Sequence, residues 1–384
     1  MVLCAQTPGP RPHPLPAGPK IDRTLPSLFP ATPVWSLPLN NELTAPPAYD
    51  ETTVFFPIEG DRMAAYEIVS GAQKWLAPLR SQMQPAVGDG LLFLIDAEKL
   101  SALKATDGSI AWQLPFTEKL AVRPVWDNGW LVLATEPGEI LALRATDGHL
   151  VWRRTLESRA HALPALAADR VYIPTAENGV VALRIDTGEP VWTRRLGGSP
   201  NDILALDQRL YAGANDNFFY CLMAKDGRVA WRWRTGGDVI GVPISDDDRV
   251  YFVALDNVLR ALDLKSGVQH WMRPLALRPA WGPVRAGSTI VVSGLTATLP
   301  GFDMKEGKPA GDLAAGGEVT ALPHALEEPG TKKPLIVMVT HDIAKGASAS
   351  LAARNFEPAV TPVGTLPNLV QIAPTTPATT PPRP

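Results

Sequence analysis

Apolar residues in this chain come in short runs of two or three, and the runs return at a steady interval. Val54-Phe55-Phe56, Leu92-Phe93-Leu94, Leu131-Val132-Leu133, Val171-Tyr172-Ile173, Leu210-Tyr211, Val250-Tyr251-Phe252, Ile290-Val291-Val292 and Ile336-Val337-Met338 are eight such runs. After a run comes a turn rich in Asn, Asp and Gly, such as Glu177-Asn178-Gly179 or Asn215-Asp216-Asn217. A small-then-large pair follows in five copies: Ala102-Leu103, Ala142-Leu143, Ala182-Leu183, Cys221-Leu222 and Ala261-Leu262. Short β-rich runs bounded by turn chemistry at a spacing of about 8–12 residues predict antiparallel strands. No stretch of about 18 apolar residues occurs, so the pattern predicts no membrane-spanning helix.

The interval itself identifies the architecture. A Gly-x-x-x-Trp pair recurs as Gly71/Trp75, Gly108/Trp112, Gly148/Trp152, Gly188/Trp192, Gly227/Trp231 and Gly267/Trp271, with tryptophan steps of 37, 40, 40, 39 and 40 residues. One period back from Trp75 lies Trp35, and one period beyond Trp271 lies Gly311, in a copy that keeps Gly307 but has lost its indole. Pro46, Pro85, Pro124, Pro164, Pro243, Pro283 and Pro323 keep the same phase, and Ile203 fills the slot between Pro164 and Pro243. A repeat of about 40 residues holding four short strands is a propeller blade, so the chain reads as all-β: an eight-bladed β-propeller of four-stranded antiparallel blades. The glycine at each Asp-Gly, Thr-Gly or Ser-Gly turn supplies positive φ. The indole is expected to fill the widening gap between blades, and the alanine to be small where blades crowd the axis. Both tryptophan and glycine are thus structural docking positions.

The eighth blade has candidate inner strands near 319–325, 334–340 and 348–356 but no outer strand of its own. Val34-Trp35-Ser36-Leu37 is an orphan strand of the outer type. Pairing it into the last blade would close the ring and remove the unpaired edges. The expected organisation is a Pro-rich disordered leader at 1–33, the propeller at 34–356, and a Pro/Thr-rich disordered tail at 357–384. The two ends carry nine and eight prolines, a composition that favours extended chain.

Composition then narrows the chemistry. The formal net charge is −3 across 384 residues, with no long basic run, which argues against nucleic acid as a partner. Two cysteines, Cys4 and Cys221, cannot build a disulfide framework or a zinc ribbon, and the six histidines lack metal-ligand spacing. Cys221 takes the alanine slot of its repeat and reads as a small core residue. Asp246-Asp247-Asp248 sits where sister repeats carry Asp169 or Asp207, so a solvated hairpin tip is expected there rather than calcium. Residues leading into the innermost strands should ring one mouth of the central channel: Glu42, Gln84, Arg123, His161, Asp202, Asp238, Trp281 and Glu318. They share neither sign nor type; a water-filled funnel and a small-polar-ligand site both remain open. Trp126 and Trp130 flank the turn Asp127-Asn128-Gly129, where an exposed aromatic pair would offer a partner contact and a buried pair would cover a blade edge.

Ala182-Leu-Arg-Ile-Asp-Thr-Gly-Glu-Pro-Val-Trp192, like Ala142 to Trp152 and Ala261 to Trp271, resembles the tryptophan-docking repeat of pyrroloquinoline-quinone (PQQ)-like propellers, over roughly residues 34–356. Two branches share that repeat. The BamB-like branch, outer-membrane β-barrel assembly proteins of this size, implies a monomeric periplasmic scaffold without a cofactor that binds the barrel-assembly machinery. The quinoprotein dehydrogenase branch implies PQQ with calcium, adjacent cysteines and a carboxylate base. No Cys-Cys pair, haem motif, Walker-type loop or Gly-x-Ser-x-Gly elbow occurs here, and no catalytic residue of that branch maps onto this chain. A non-catalytic scaffold is therefore the first expectation. A PQQ-binding oxidoreductase and a ligand-sensing or carbohydrate-binding propeller are the alternatives. Export is expected from the resemblance, with Met1-Val-Leu-Cys-Ala as the remnant of a truncated signal peptide and a disordered cytoplasmic leader as the alternative; Leu3 before Cys4 argues against lipidation.

Overall fold

A computed structural model describes residues 25–354, except 40, 97, 168, 329 and 343–345. The described residues form eight antiparallel sheets and no helix. Blade 1 is Ala48–Tyr49, Thr53–Ile58, Arg62–Glu67 and Gln73–Ala77, from axis to rim. Blades 2 to 7 repeat that order, beginning at Ala86–Gly88, Val125–Asp127, Ala165–Ala167, Pro200–Leu206, Val239–Ser245 and Val284–Ala286. Blade 8 combines Glu318–Val319 and His324–Glu327 with Pro334–Asp342 and Gly346–Arg354, and its outer strand is Ala31–Pro38. The N-terminal strand therefore closes the ring, with Trp35 opposite Leu351 and Ser36 opposite Ser350.

One row of side chains, present in blades 1, 2, 4, 5 and 6, explains the repeat. Phe55 faces Ala65, which faces Trp75; Phe93, Ala102 and Trp112 repeat the row, as do Tyr172, Ala182 and Trp192. Tyr211, Cys221 and Trp231 form another, and Tyr251, Ala261 and Trp271 the next. The ring on the second strand and the indole on the fourth approach each other over the small residue between them, at centroid separations of 5.7 to 6.0 Å. The alanine is small because two aromatics meet across it, and not, as the sequence suggests, because blades crowd the axis. Tilted pairs at this distance add to the area they bury.

The indoles dock blade on blade. Each donates its Nε1 hydrogen to a carbonyl of the next blade: Trp35 to Ile68, Trp75 to Ala105, Trp112 to Ala145, Trp152 to Ile185, Trp192 to Ala224, Trp231 to Leu264 and Trp271 to Met304, at 2.6 to 3.2 Å. Each also lies flat on the turn glycine of that next blade, from Gly71 under Trp35 to Gly307 under Trp271. Those glycines have φ between 65° and 72°. A side chain there would be strained by the backbone and would strike the indole: at Gly227 an added Cβ would lie 2.5 Å from Trp192. Trp75, Trp152 and Trp271 are buried and the other four half-buried. A second row reinforces the first. Arg170 donates to the carbonyls of Ala224 and Lys225, Arg209 to that of Lys265, and Arg249 to those of Met304 and Lys305.

The seam between blades 7 and 8 departs from the pattern. Gly311 occupies the tryptophan slot, opposite Gly301. The Phe29 ring fills the vacated space, so that a Cβ on Gly301 would lie 2.2 Å from it and one on Gly311 2.6 Å. Leu28 beside it is fully buried, its amide donates to Thr289 Oγ1 at 3.1 Å, and Ser288 N donates to the Pro26 carbonyl. The ring therefore begins before residue 34: residues 26–33 belong to the propeller, because they complete a seam that lacks its own indole. Residues 1–24 and the tail at 357–384 lie outside the described residues.

Candidate functional site

The axial cavity has a volume of about 670 Å³, and all eight blades contribute to its wall. Gln84, Arg123, Asp202 and Trp281 line it together. An adjoining cavity of about 460 Å³ is lined by Arg123, His161, Leu163, Asp202 and Ile240. The structure thus brings five of the eight expected mouth residues together. It does not bring Glu42, Asp238 or Glu318 into either wall. Glu42 pairs with His341 at 3.2 Å, Glu318 is exposed on the strand facing His341, and Asp238 offers its carbonyl to Leu255 N.

Arg123 and Asp202 are the charged pair of the channel. Burial pulls the Arg123 guanidinium below its ordinary value, against the opposing field of Asp202. Burial likewise raises the Asp202 carboxyl, although the Leu163 N–H bond and the charges of Arg123 and His161 work the other way. Asp202 Oδ1 accepts from Leu163 N at 2.9 Å, and Arg123 Nη1 donates to the Pro124 carbonyl at 3.3 Å. Among the described residues the two act on each other through their charges, without a hydrogen bond between them.

Tyr49 and His324 form a site element that the sequence reading missed. Their rings stack 4.1 Å apart, 4° from parallel, at the channel wall beside Gln84, Arg123 and Trp126. Burial pushes the His324 imidazole down to about 4 and raises the Tyr49 phenol. Pro323 marks His324 as leading an inner strand, but only ring closure brings it against residue 49.

Trp126 and Trp130 are not an exposed pair. Trp130 is 2% exposed in the core between blades 3 and 4. Trp126 is half-buried against Gly88 of blade 2, where an added Cβ would lie 1.9 Å from its ring. Trp126 lies on the first strand of blade 3 and Trp130 on the second, opposite Asp127, so the pleat turns one indole to each neighbouring blade, which removes both as partner contacts. Asp246 is not a solvated tip either: it is buried and accepts from Asp248 N, Arg249 N and the Tyr251 hydroxyl.

The channel wall fits calcium poorly. Calcium takes six to eight oxygen ligands, whereas Asp202 is the one carboxylate in the axial wall and stands near Arg123. Cys221 is buried on the third strand of blade 5, opposite Trp231, and Arg209 Nη1 lies 3.5 Å from its sulfur. Among the described residues no three His, Cys, Asp or Glu side chains gather as metal ligands.

A family model described as outer membrane protein assembly factor BamB matches residues 30–124, 96–206 and 194–322. The outer membrane protein assembly factor BamB of Yersinia pestis is 26% identical over 111 residues, a match spanning 28% of this chain and 28% of that protein's length. The crystal structure of BamB from Moraxella catarrhalis aligns with a TM-score of 0.64 at 21% identity, covering 84% of this chain and 97% of that one. Quinohemoprotein alcohol dehydrogenase from Comamonas testosteroni aligns with a TM-score of 0.68 at 12% identity, covering 87% and 78%. At these identities the two structural likenesses establish the fold alone.

Proposed function

Because the chain belongs to the family of the outer membrane protein assembly factor BamB, we propose that it acts as a non-catalytic scaffold of the bacterial envelope, binding protein components of outer-membrane protein assembly. The family match, running from the closing strand through blade 7, carries this reading. The reading places the propeller in the periplasm; among the described residues no helix is long and apolar enough to cross a membrane.

The proposed docking face is the channel-mouth face of blades 6 to 8. Val242, Leu295 and Leu322 are 38%, 62% and 45% exposed there. Val242 and Leu322 border the axial cavity. The loop carrying Leu295 is tied to the segments leading into blades 7 and 8, through Ala280 N to the Ser293 carbonyl and Val319 N to the Thr296 carbonyl. Exposed apolar side chains gathered on one face suit a partner's buried anchors. The test is cross-linking and affinity capture of the exported protein from envelope membranes. The reading expects recovery of a barrel-assembly component, reduced at least tenfold by Leu295→Glu with Leu322→Glu while thermal unfolding is unchanged. Recovery of no such component, together with saturable PQQ binding and dye reduction in the presence of calcium, would replace it with the oxidoreductase reading.

A further inference from the structure

Two opposite charges share a wall of the channel without reaching each other, and neither belongs to the docking face proposed above. Arg123 has five N–H donors in a planar fork suited to a carboxylate. Its one bond in the structure is the 3.3 Å contact to the carbonyl of the next residue, Pro124. Asp202 accepts a single backbone N–H, from Leu163, which leaves its second oxygen for another donor. Both groups are half-buried, and a charge partly removed from water without a close partner is costly to maintain. The seam between blades 4 and 5 uses one oxygen of Asp202, through Leu163 N, and none of the Arg123 guanidinium. What the two residues share is space. Both line the cavity of about 460 Å³ and the larger axial cavity beyond it. Leu163 and Ile240 line the same cavity as apolar residues. A cavity of this size takes a small molecule, oriented by a few polar groups against apolar walls.

We propose that this cavity binds a small zwitterion of the α-amino acid class, its carboxylate on Arg123, its ammonium on Asp202 and its side chain toward Leu163 and Ile240. The pairing neutralises both half-buried charges at once, which neither a simple anion nor a simple amine does. The site is independent of the scaffold reading, since it asks nothing of a protein partner.

The test is calorimetric titration of the full chain with L-leucine, isovalerate and isoamylamine, which separate the zwitterion from its two halves. L-leucine is expected to bind saturably, with the carboxylate and the amine each at least tenfold weaker. Arg123→Gln should weaken L-leucine at least tenfold, and Asp202→Asn should erase the preference for leucine over isovalerate. Thermal unfolding and seam tryptophan fluorescence of both variants report that the ring is intact. Absence of saturable L-leucine binding to folded protein, equal binding of isovalerate, or L-leucine binding unchanged in Arg123→Gln would each overturn the proposal.

Discussion

Phe29→Ala probes the one seam at which a residue from outside the repeat replaces an indole. Complete burial of a phenylalanine ring makes its removal cost about 3–5 kcal/mol, and Phe29 is half-buried, so a loss of about 2–3 kcal/mol is expected. For a ring of this size that corresponds to a fall of about 3–5 °C in Tm. The seat of the ring can be tested separately at Gly301, whose φ is not positive, so that an alanine there meets only a question of space. Its Cβ would lie 2.2 Å from Phe29 Cε2 and 2.9 Å from Cζ. Gly301→Ala should therefore cost about 1–3 kcal/mol by overpacking. With Phe29 already alanine the clash disappears, and the same change should be neutral or slightly stabilising, because alanine is favoured over glycine in a strand by about 0.5–1 kcal/mol. A double-mutant cycle by denaturant titration should show a coupling of at least about 1 kcal/mol. If Gly301→Ala costs the same in both backgrounds, Phe29 does not occupy that seat and the seam argument is wrong.

Trp271→Ala removes a buried indole and its bond to the Met304 carbonyl, and equilibrium unfolding should register a loss of about 3–5 kcal/mol. His324 binds its proton more weakly in the folded state, at about 4 against 6.5 unfolded, so the unfolded chain gains protons first on acidification. Stability should hold above pH 6.5 and fall as pH drops from 6.5 to 4, by at most about 3 kcal/mol from this residue; His324→Gln should flatten that part of the stability–pH curve. Burial raises the Cys221 thiol above its ordinary value, so thiol reagents should label Cys221 only on unfolding, and labelling of the native protein at its free-solution rate would show that the row in blade 5 is open.

The repeat was legible because it is written in local chemistry. The turn glycine and the indole four residues later belong to one blade, and seven tryptophans in step state the docking interaction before any coordinate does. Long-range compensation was hidden. Phe29 and Gly311 are far apart in sequence, and nothing in the leader's proline-rich composition marks Phe29 as a stand-in for a missing tryptophan. The arginine row was missed for a similar reason: Arg170 and Arg249 open strands as ordinary turn-flanking charges, and only the neighbouring blade supplies their carbonyls. Trp126 and Trp130 flank a turn, which suggested exposure, yet strand alternation sends one toward each adjacent blade. At the channel, phase alone located Arg123, His161 and Asp202. It misplaced Glu42, which pairs with His341 instead, and Asp238 and Glu318, because blade 6 carries a longer, bulged inner strand and the blade 8 inner strand is split in two, which shifts the register between segment and axis.

Closure of the ring by its first strand can be tested covalently. Ser36 and Ser350 are register partners on the antiparallel strands Ala31–Pro38 and Gly346–Arg354, and facing residues in such a pair lie within disulfide reach. In a background of Cys4→Ser and Cys221→Ala, the double variant Ser36→Cys, Ser350→Cys should oxidise within one chain when folded, giving a looped species of altered gel mobility, and should fail to do so in denaturant. Disulfides only between chains, or none in the folded protein, would contradict the closure.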